Sequence, residues 1–219
     1  MLNYVLDSAH VSGGWLALAA VGIAVLAYFL GCFNGAVVVS RYILRDDVRN
    51  HGSGNAGLTN FVRNFGFAKA GLVILIDAGK AVLACLVGKL LLESYGYGLE
   101  GMMLGALAVS LGHDFPALLG FRGGKGILSG FTVALTIDWR CALLILAVFV
   151  ICVAITRYVS LGSVLGALSL SIYFVVVYHN NLFVMLGGAF IGLLAVFMHR
   201  ANIARLLKGT ENKLSFHKK

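Results

Sequence analysis

The chain has 219 residues, is 60% apolar and only 12% charged, and contains a single proline, which excludes an ordinary soluble domain and makes the bilayer its solvent. A formal net charge of +8 would suggest nucleic acid in a soluble protein. Here the basic residues sit in turns between apolar runs, where they set orientation, so no nucleic-acid partner is expected.

A spanning helix takes roughly 20 residues, and apolar runs fill most of the length, so a single membrane-embedded domain over residues 1–219 is expected. Residues 1–12 lack a basic leader and Asp7 interrupts them, so the first apolar run reads as an uncleaved anchor. Apolar runs predict helices over residues 15–40, 67–92, 99–119, 126–137, 140–156, 161–178 and 182–200, an all-α polytopic membrane protein of about seven spans. The run 126–137 is too short to cross upright. It starts deep under an inserted loop or re-enters. Cys32, Cys85, Cys141 and Cys152 lie inside these runs without zinc or redox spacing and read as small hydrophobes.

With the N-terminus outside, Arg41, Arg45, Arg49, Arg63, Lys69, Arg122, Lys125, Arg157, Arg200, Arg205, Lys208, Lys213, Lys218 and Lys219 fall on the cytoplasmic side. Only Lys89 and Arg140 fall outside, with Glu93, Glu100 and Asp138 in the outer turns, and Lys80 lies within a span. This bias predicts an outer N-terminus and a cytoplasmic C-terminus. The spacings Gly101/Gly105, Gly162/Gly166 and Gly188/Gly192 read as close helix packing within the bundle. Asp77 and Lys80, three apart in the second span, form either a structural ion pair or part of a polar centre.

Three polar clusters remain on the inner side. In residues 45–63, Gly52, Gly54 and Gly57 let the backbone approach an anion, Ser53, Asn55, Thr59 and Asn60 offer hydrogen bonds, and Arg63 can fork onto phosphate oxygens. In residues 112–126, His113 precedes Arg122-Gly123-Gly124-Lys125-Gly126, an anion nest whose glycines permit positive φ and whose following helix adds its positive dipole end. This is not a Walker A loop: Gly120 leaves too short a spacing and Gly126, not Ser or Thr, follows Lys125. In residues 199–211, His199, Asn202 and Arg205 share a face if the last span continues inward as a helix. The inner turn at 157–163 adds Ser160 and Ser163.

Taken together, Gly52-Ser53-Gly54-Asn55-Ala56-Gly57-Leu58-Thr59-Asn60 with Arg63, Gly112-His113-Asp114-Phe115-Pro116 leading to Gly123-Gly124-Lys125-Gly126, and His199-Arg200-Ala201-Asn202-Ile203 with Arg205 and Glu211 resemble the bacterial acyl-phosphate-dependent glycerol-3-phosphate acyltransferases, the PlsY family. The resemblance implies a seven-helix enzyme of the bacterial cytoplasmic (inner) membrane, its active site facing the cytoplasm. Such an enzyme transfers a fatty acyl group from acyl phosphate to the 1-hydroxyl of glycerol-3-phosphate in phospholipid biosynthesis, giving lysophosphatidic acid and phosphate. It implies catalytic roles for Ser53, Arg63, Lys125, His199 and Asn202 and a structural one for Glu211. Substrate binding is implied for Gly54, Asn55, Gly57, Thr59, Asn60, His113, Gly123, Gly124, Gly126, Ser160, Ser163 and Arg205. Three departures bear on substrate preference and on the kink of the first helix: Leu58 replaces a smaller residue, Arg122 a lysine, and Gly31-Cys32-Phe33-Asn34 the customary Ser-Ile-Pro turn.

Acyl phosphate is a mixed anhydride with a good leaving group, so alignment and charge stabilisation suffice and no covalent nucleophile, cofactor or metal is expected. The acyltransferase signature of His, four residues, then Asp is absent: Trp15, Ala56, Leu118, Val184 and Ala204 stand five after His10, His51, His113, His179 and His199. A general base is therefore His199, His51, His113 or the substrate phosphate. The expected partners are acyl phosphate, glycerol-3-phosphate and membrane lipids, with the chain acting as a monomer. The competing reading is a transporter for a phosphate-bearing anion; it lacks support from an internal repeat. Phosphoryl transfer would need clustered carboxylates, and only Asp46 and Asp47 stand together.

Overall fold

A computed structural model describes residues 13–214, and the expectations resting on Asp7, the N-terminal leader, His10, Lys218 and Lys219 lie outside them. The described residues are all-helical: α1 (Gly13–Cys32), α2 (Gly35–Val38), α3 (Leu58–Phe65), α4 (Ala70–Glu93), α5 (Gly98–Asp114), α6 (Ile127–Ile137), α7 (Trp139–Thr156), α8 (Val159–Val177), α9 (Leu182–Met198) and α10 (Arg200–Leu207). Five of the helical segments are long and apolar enough to cross a membrane, or six if the bent pair α9–α10 counts as one span.

The first apolar run is not one helix. It breaks at Phe33-Asn34 and resumes as α2 and a π-helical turn (Val39–Ile43). No proline causes the break; buried side chains take over the backbone groups that it frees, as the membrane interior demands. Asn34 caps α2 by accepting from Val37 N at 3.0 Å and donates to Ala56 O at 2.8 Å. From α4, Asp77 Oδ1 accepts from Gly35 N at 2.9 Å, while Lys80 Nζ donates to the carbonyls of Gly31 (3.0 Å) and Phe33 (2.9 Å). Asp77 and Lys80 also pair at 2.8 Å. The intramembrane pair therefore caps both sides of a broken helix, and Asp77 also borders the cavity described below.

Glycines let the helices touch. Gly101 and Gly105 on α5 lie against Gly88 and Ala84 of α4, and a Cβ at Gly162 or Gly166 of α8 would meet Phe149 and Val153, or Ile145, of α7. Gly188 and Gly192 of α9 face Phe174 and Ser171 of α8, so all three small-residue spacings pack helices together.

The short helix α6 has 11 residues, ~16 Å at 1.5 Å per residue against a hydrocarbon core of ~30 Å. Its end is fixed by Asp138, which caps α7 through Arg140 N and accepts from Tyr173 (2.7 Å) and Tyr178 (3.3 Å) of the α8 end. Asn181, which caps α9, donates to Glu100 at the start of α5. The ends of α6 and α8 thus meet the starts of α5, α7 and α9 in one acidic and aromatic layer. The motif loops gather at the other end of the bundle, and the start of α6 is set in from that end.

Candidate functional site

At the loop end, the polar segments and the helices α6, α7, α8 and α9 enclose a cavity of about 640 Å³, within the range of small-molecule sites. Its first wall is the loop before α3. Gly52 and Gly54 take left-handed φ of 56° and 68°, which only glycine adopts without strain. Buried Asn60 organises this loop: its amide nitrogen donates to the carbonyls of Val48 and His51 (3.0 Å each) and Asn55 (3.1 Å), and its oxygen accepts from Ser53 N at 3.1 Å. Asn60 borders the cavity with its amide already committed to the loop. Ser53, Asn55, Gly57, Thr59 and Arg63 line the cavity, and Ser53, Thr59 and Arg63 are exposed to it or to solvent. Gly54 does not line it. Arg49, paired with Asp47 at 2.9 Å, donates to Leu119 O and so ties this loop to the next.

The second wall is the turn into α6, where the expectation of a phosphate nest is corrected. Gly123 and Gly124 do not line the cavity and neither has positive φ; among the glycines of this loop Gly120 and Gly126 do. A Cβ at Gly123 would strike His113 O and Pro116, and one at Gly124 would strike the His113 ring. These glycines are needed because the turn lies directly on the end of α5, where Gly124 N donates to His113 O at 3.0 Å. His113 is 4% exposed, and its Nδ1 faces Lys80 Nζ at 2.9 Å. The turn thereby presents Lys125 to the cavity, with the N-terminus of α6 beside it. Burial first, then the charge of Arg205, draws the Lys125 ammonium down to about 8.

The third wall comes from the α9–α10 bend and the start of α8. The last span does not run on as a straight helix: it turns by 55° at His199. His199 lines the cavity with Nδ1 at 2.8 Å from Ala195 O. A carbonyl can only accept, so Nδ1 carries the hydrogen and Nε2 of the neutral ring keeps its lone pair. Asn202 accepts from Lys125 Nζ and donates to Glu211 Oε1 at 2.8 Å, and Arg205 Nε donates to Glu211 Oε2 at 2.6 Å. Burial works to raise the Glu211 pKa, but the hydrogen bonds from Asn202 and Arg205 hold it below its ordinary value. Ser160 is buried with its hydroxyl unpartnered among the described residues, whereas Ser163 donates to Val159 O at 2.9 Å.

The structure therefore brings Ser53, Arg63, Lys125, His199, Asn202, Arg205 and Glu211 around one space. It leaves His51 outside, bonded to Asp46 at 2.8 Å, and Arg200 stacked on Phe197. Sequence reasoning missed Asn64, which lines the cavity and donates to Asn60. Its place four residues after Asn60 was the available signal. The apolar half was also missed: Leu128 and Phe131 of α6, Ile145 and Phe149 of α7, Leu170 of α8 and Ile191 of α9 extend the cavity away from Lys125. No group of three or more His, Cys, Asp or Glu side chains that could hold a metal ion occurs among the described residues.

Comparison with known proteins gives a consistent answer. A sequence model described as glycerol-3-phosphate acyltransferase matches residues 21–209. The glycerol-3-phosphate acyltransferase of Thermoanaerobacter pseudethanolicus is 40% identical over 191 residues, covering 87% of this chain and 93% of that protein. The Bordetella pertussis enzyme of the same name is 38% identical over 201 residues, covering 90% and 93%. Among solved structures, PlsY (YgiH), an integral membrane glycerol 3-phosphate acyltransferase, in its glycerol 3-phosphate form superposes with a TM-score of 0.80 at 31% identity, covering 90% of this chain and 96% of that one.

Proposed function

The chain belongs to the glycerol-3-phosphate acyltransferase family, and from that premise we propose that its cavity moves a fatty acyl group from acyl phosphate to the 1-hydroxyl of sn-glycerol-3-phosphate. The products are phosphate and lysophosphatidic acid. The observation that carries the reading is the union in one cavity of a cationic end, with Arg63, Lys125 and Arg205, and an apolar extension between α6, α7, α8 and α9. Both substrates bear phosphate, and one also bears a long chain. The solved relative in glycerol 3-phosphate and lysophosphatidic acid forms supports the same pair of requirements.

In the step itself, the glycerol oxygen attacks the acyl carbonyl and a C–O bond forms. The bond from the carbonyl carbon to the anhydride oxygen breaks, and the departing phosphate keeps the electron pair. The hydroxyl proton passes to His199 Nε2, which keeps its lone pair because Nδ1 donates to Ala195 O, and His199 borders the cavity. Arg63 and Ser53 stabilise the negative charge developing on the acyl oxygen and the leaving phosphate. Lys125, held by Asn202, and the N-terminus of α6 at Gly126 bind the phosphate of glycerol-3-phosphate. Asn55, Thr59, Ser160 and Arg205 complete the polar contacts, and Glu211 holds Asn202 and Arg205 in place.

We place this single domain, residues 1–219, in the bacterial cytoplasmic membrane with about seven helical segments, the N-terminus outside and the cavity open to the cytoplasm, as the charge bias argues. It works as a monomer, since one chain encloses the whole cavity. Substitution tests the assignment: Arg63→Ala should lower kcat by roughly 10²-fold or more, and Lys125→Ala should damage both kcat and KM. Near-normal kcat/KM in both variants would place the chemistry elsewhere.

A further inference from the structure

We propose that Gly130 sets which acyl chains the enzyme accepts. The inference rests on the acyl-transfer reading above and deepens it to a residue that selects the donor. Four glycines border the apolar half of the cavity: Gly130, Gly162, Gly166 and Gly192. Three of them serve helix contacts. A Cβ at Gly162 would crowd Val153 and Phe149, one at Gly166 would come within 3.2 Å of Ile145, and one at Gly192 would strike Ser171 and Ala167 O. Gly130 is different. The nearest atom to its Cβ position is Ile191 Cγ2 at 3.8 Å, with nothing else within 4 Å, so a side chain there would enter the cavity instead of a neighbouring helix.

The depth of Gly130 in the cavity gives that open space a consequence. Gly130 lies one turn below Gly126 on α6, and its N–H donates to Gly126 O at 2.6 Å. Gly130 is four positions on from the N-cap Gly126, ~6 Å along the helix axis. A short acyl chain bound with its phosphate at the cationic end stops above Gly130, whereas a long one must pass it. Ile145, Leu170 and Ile191, all buried at 8%, 4% and 4% exposure, wall that passage, while Leu146, on the same cavity, is 46% exposed. Glycine at this point keeps the channel wide enough for a long chain; a larger residue would close it below the reacting carbonyl.

The test compares wild type, Gly130→Ala and Gly130→Leu across acyl phosphates from butanoyl to palmitoyl, with the melting temperature of each purified variant followed in lysophosphatidic acids of the same chain lengths. Gly130→Leu should cut kcat/KM for palmitoyl phosphate by roughly tenfold or more, leave the shortest donors that wild type accepts within about twofold, and lose the stabilisation by long-chain product. Gly130→Ala, which suits a helix better than glycine, should shift the profile the same way by less. An unchanged chain-length profile, or equal loss on every chain, would overturn the inference. The product-binding arm separates the role of Gly130 from donor identity: if wild type ignores acyl phosphate, the donor assignment fails while the lysophosphatidic acid series still decides what Gly130 does.

Discussion

Replacing Lys80 with methionine tests the architecture at its most exacting point. Lys80 and Asp77 are 6% and 1% exposed, so solvent screens neither charge. The substitution strands the Asp77 carboxylate, whose other cationic neighbour is His113 Nδ1 at 3.6 Å when that ring is protonated, and frees the carbonyls of Gly31 and Phe33 at the helix break. An uncompensated buried charge costs about 3–5 kcal/mol, and each unsatisfied carbonyl about 1–3 kcal/mol. Lys80→Met should therefore lose about 4 kcal/mol or more, a large share of a typical stability of about 5–15 kcal/mol. Adding Asp77→Asn removes the stranded charge, so the double variant should be less destabilised than the sum of the singles by more than about 1 kcal/mol. Equilibrium unfolding in detergent, followed by helical circular dichroism, measures all three. Simple additivity, or single losses under about 1 kcal/mol, would refute the idea that this pair closes the break.

The Lys125 ammonium, drawn down to about 8 by burial and then by Arg205, is charged below that pH and neutral above it. Affinity for glycerol-3-phosphate should thus fall as pH rises through about 8, a limb in kcat/KM that Lys125→Arg should remove. Gly124→Ala pushes a methyl into the His113 ring, so the yield of folded protein on size exclusion should drop, with KM in any surviving enzyme a lesser effect. Glu211→Ala frees Asn202 and Arg205 together and should lower kcat/KM roughly tenfold or more, whereas Glu211→Gln, which keeps one acceptor oxygen and so one of the two hydrogen bonds, should recover part of it. Activity should survive EDTA, and loss that Mg²⁺ restores would favour phosphoryl transfer.

The polar clusters were legible in the sequence because glycine, Ser, Asn and Arg gathered in a membrane protein have few other reasons to occur. Ser53, Arg63, Lys125, His199 and Asn202 do meet around one cavity. The error over Gly123 and Gly124 shows the limit: a glycine demanded by a close approach looks the same in sequence as one demanded by positive φ, and only the position of His113 separates them. The break at Phe33-Asn34 was hidden because its cause lies in Asp77 and Lys80, more than forty residues away. The bend at His199 was equally hidden, since neither proline nor glycine occurs between residues 193 and 208 to mark it. The apolar channel escaped notice because Leu128, Phe131, Ile145 and Leu170 belong to runs that are apolar on every side, where membrane-facing and cavity-facing residues look alike.

The central claim, transfer of an acyl group from acyl phosphate, is tested most directly by supplying the purified protein with glycerol-3-phosphate and either palmitoyl phosphate or palmitoyl-CoA, and measuring lysophosphatidic acid and released phosphate by mass spectrometry and phosphate assay. Equal amounts of lysophosphatidic acid and phosphate should form from palmitoyl phosphate, and neither from palmitoyl-CoA. Lysophosphatidic acid formed from palmitoyl-CoA alone would contradict the claim.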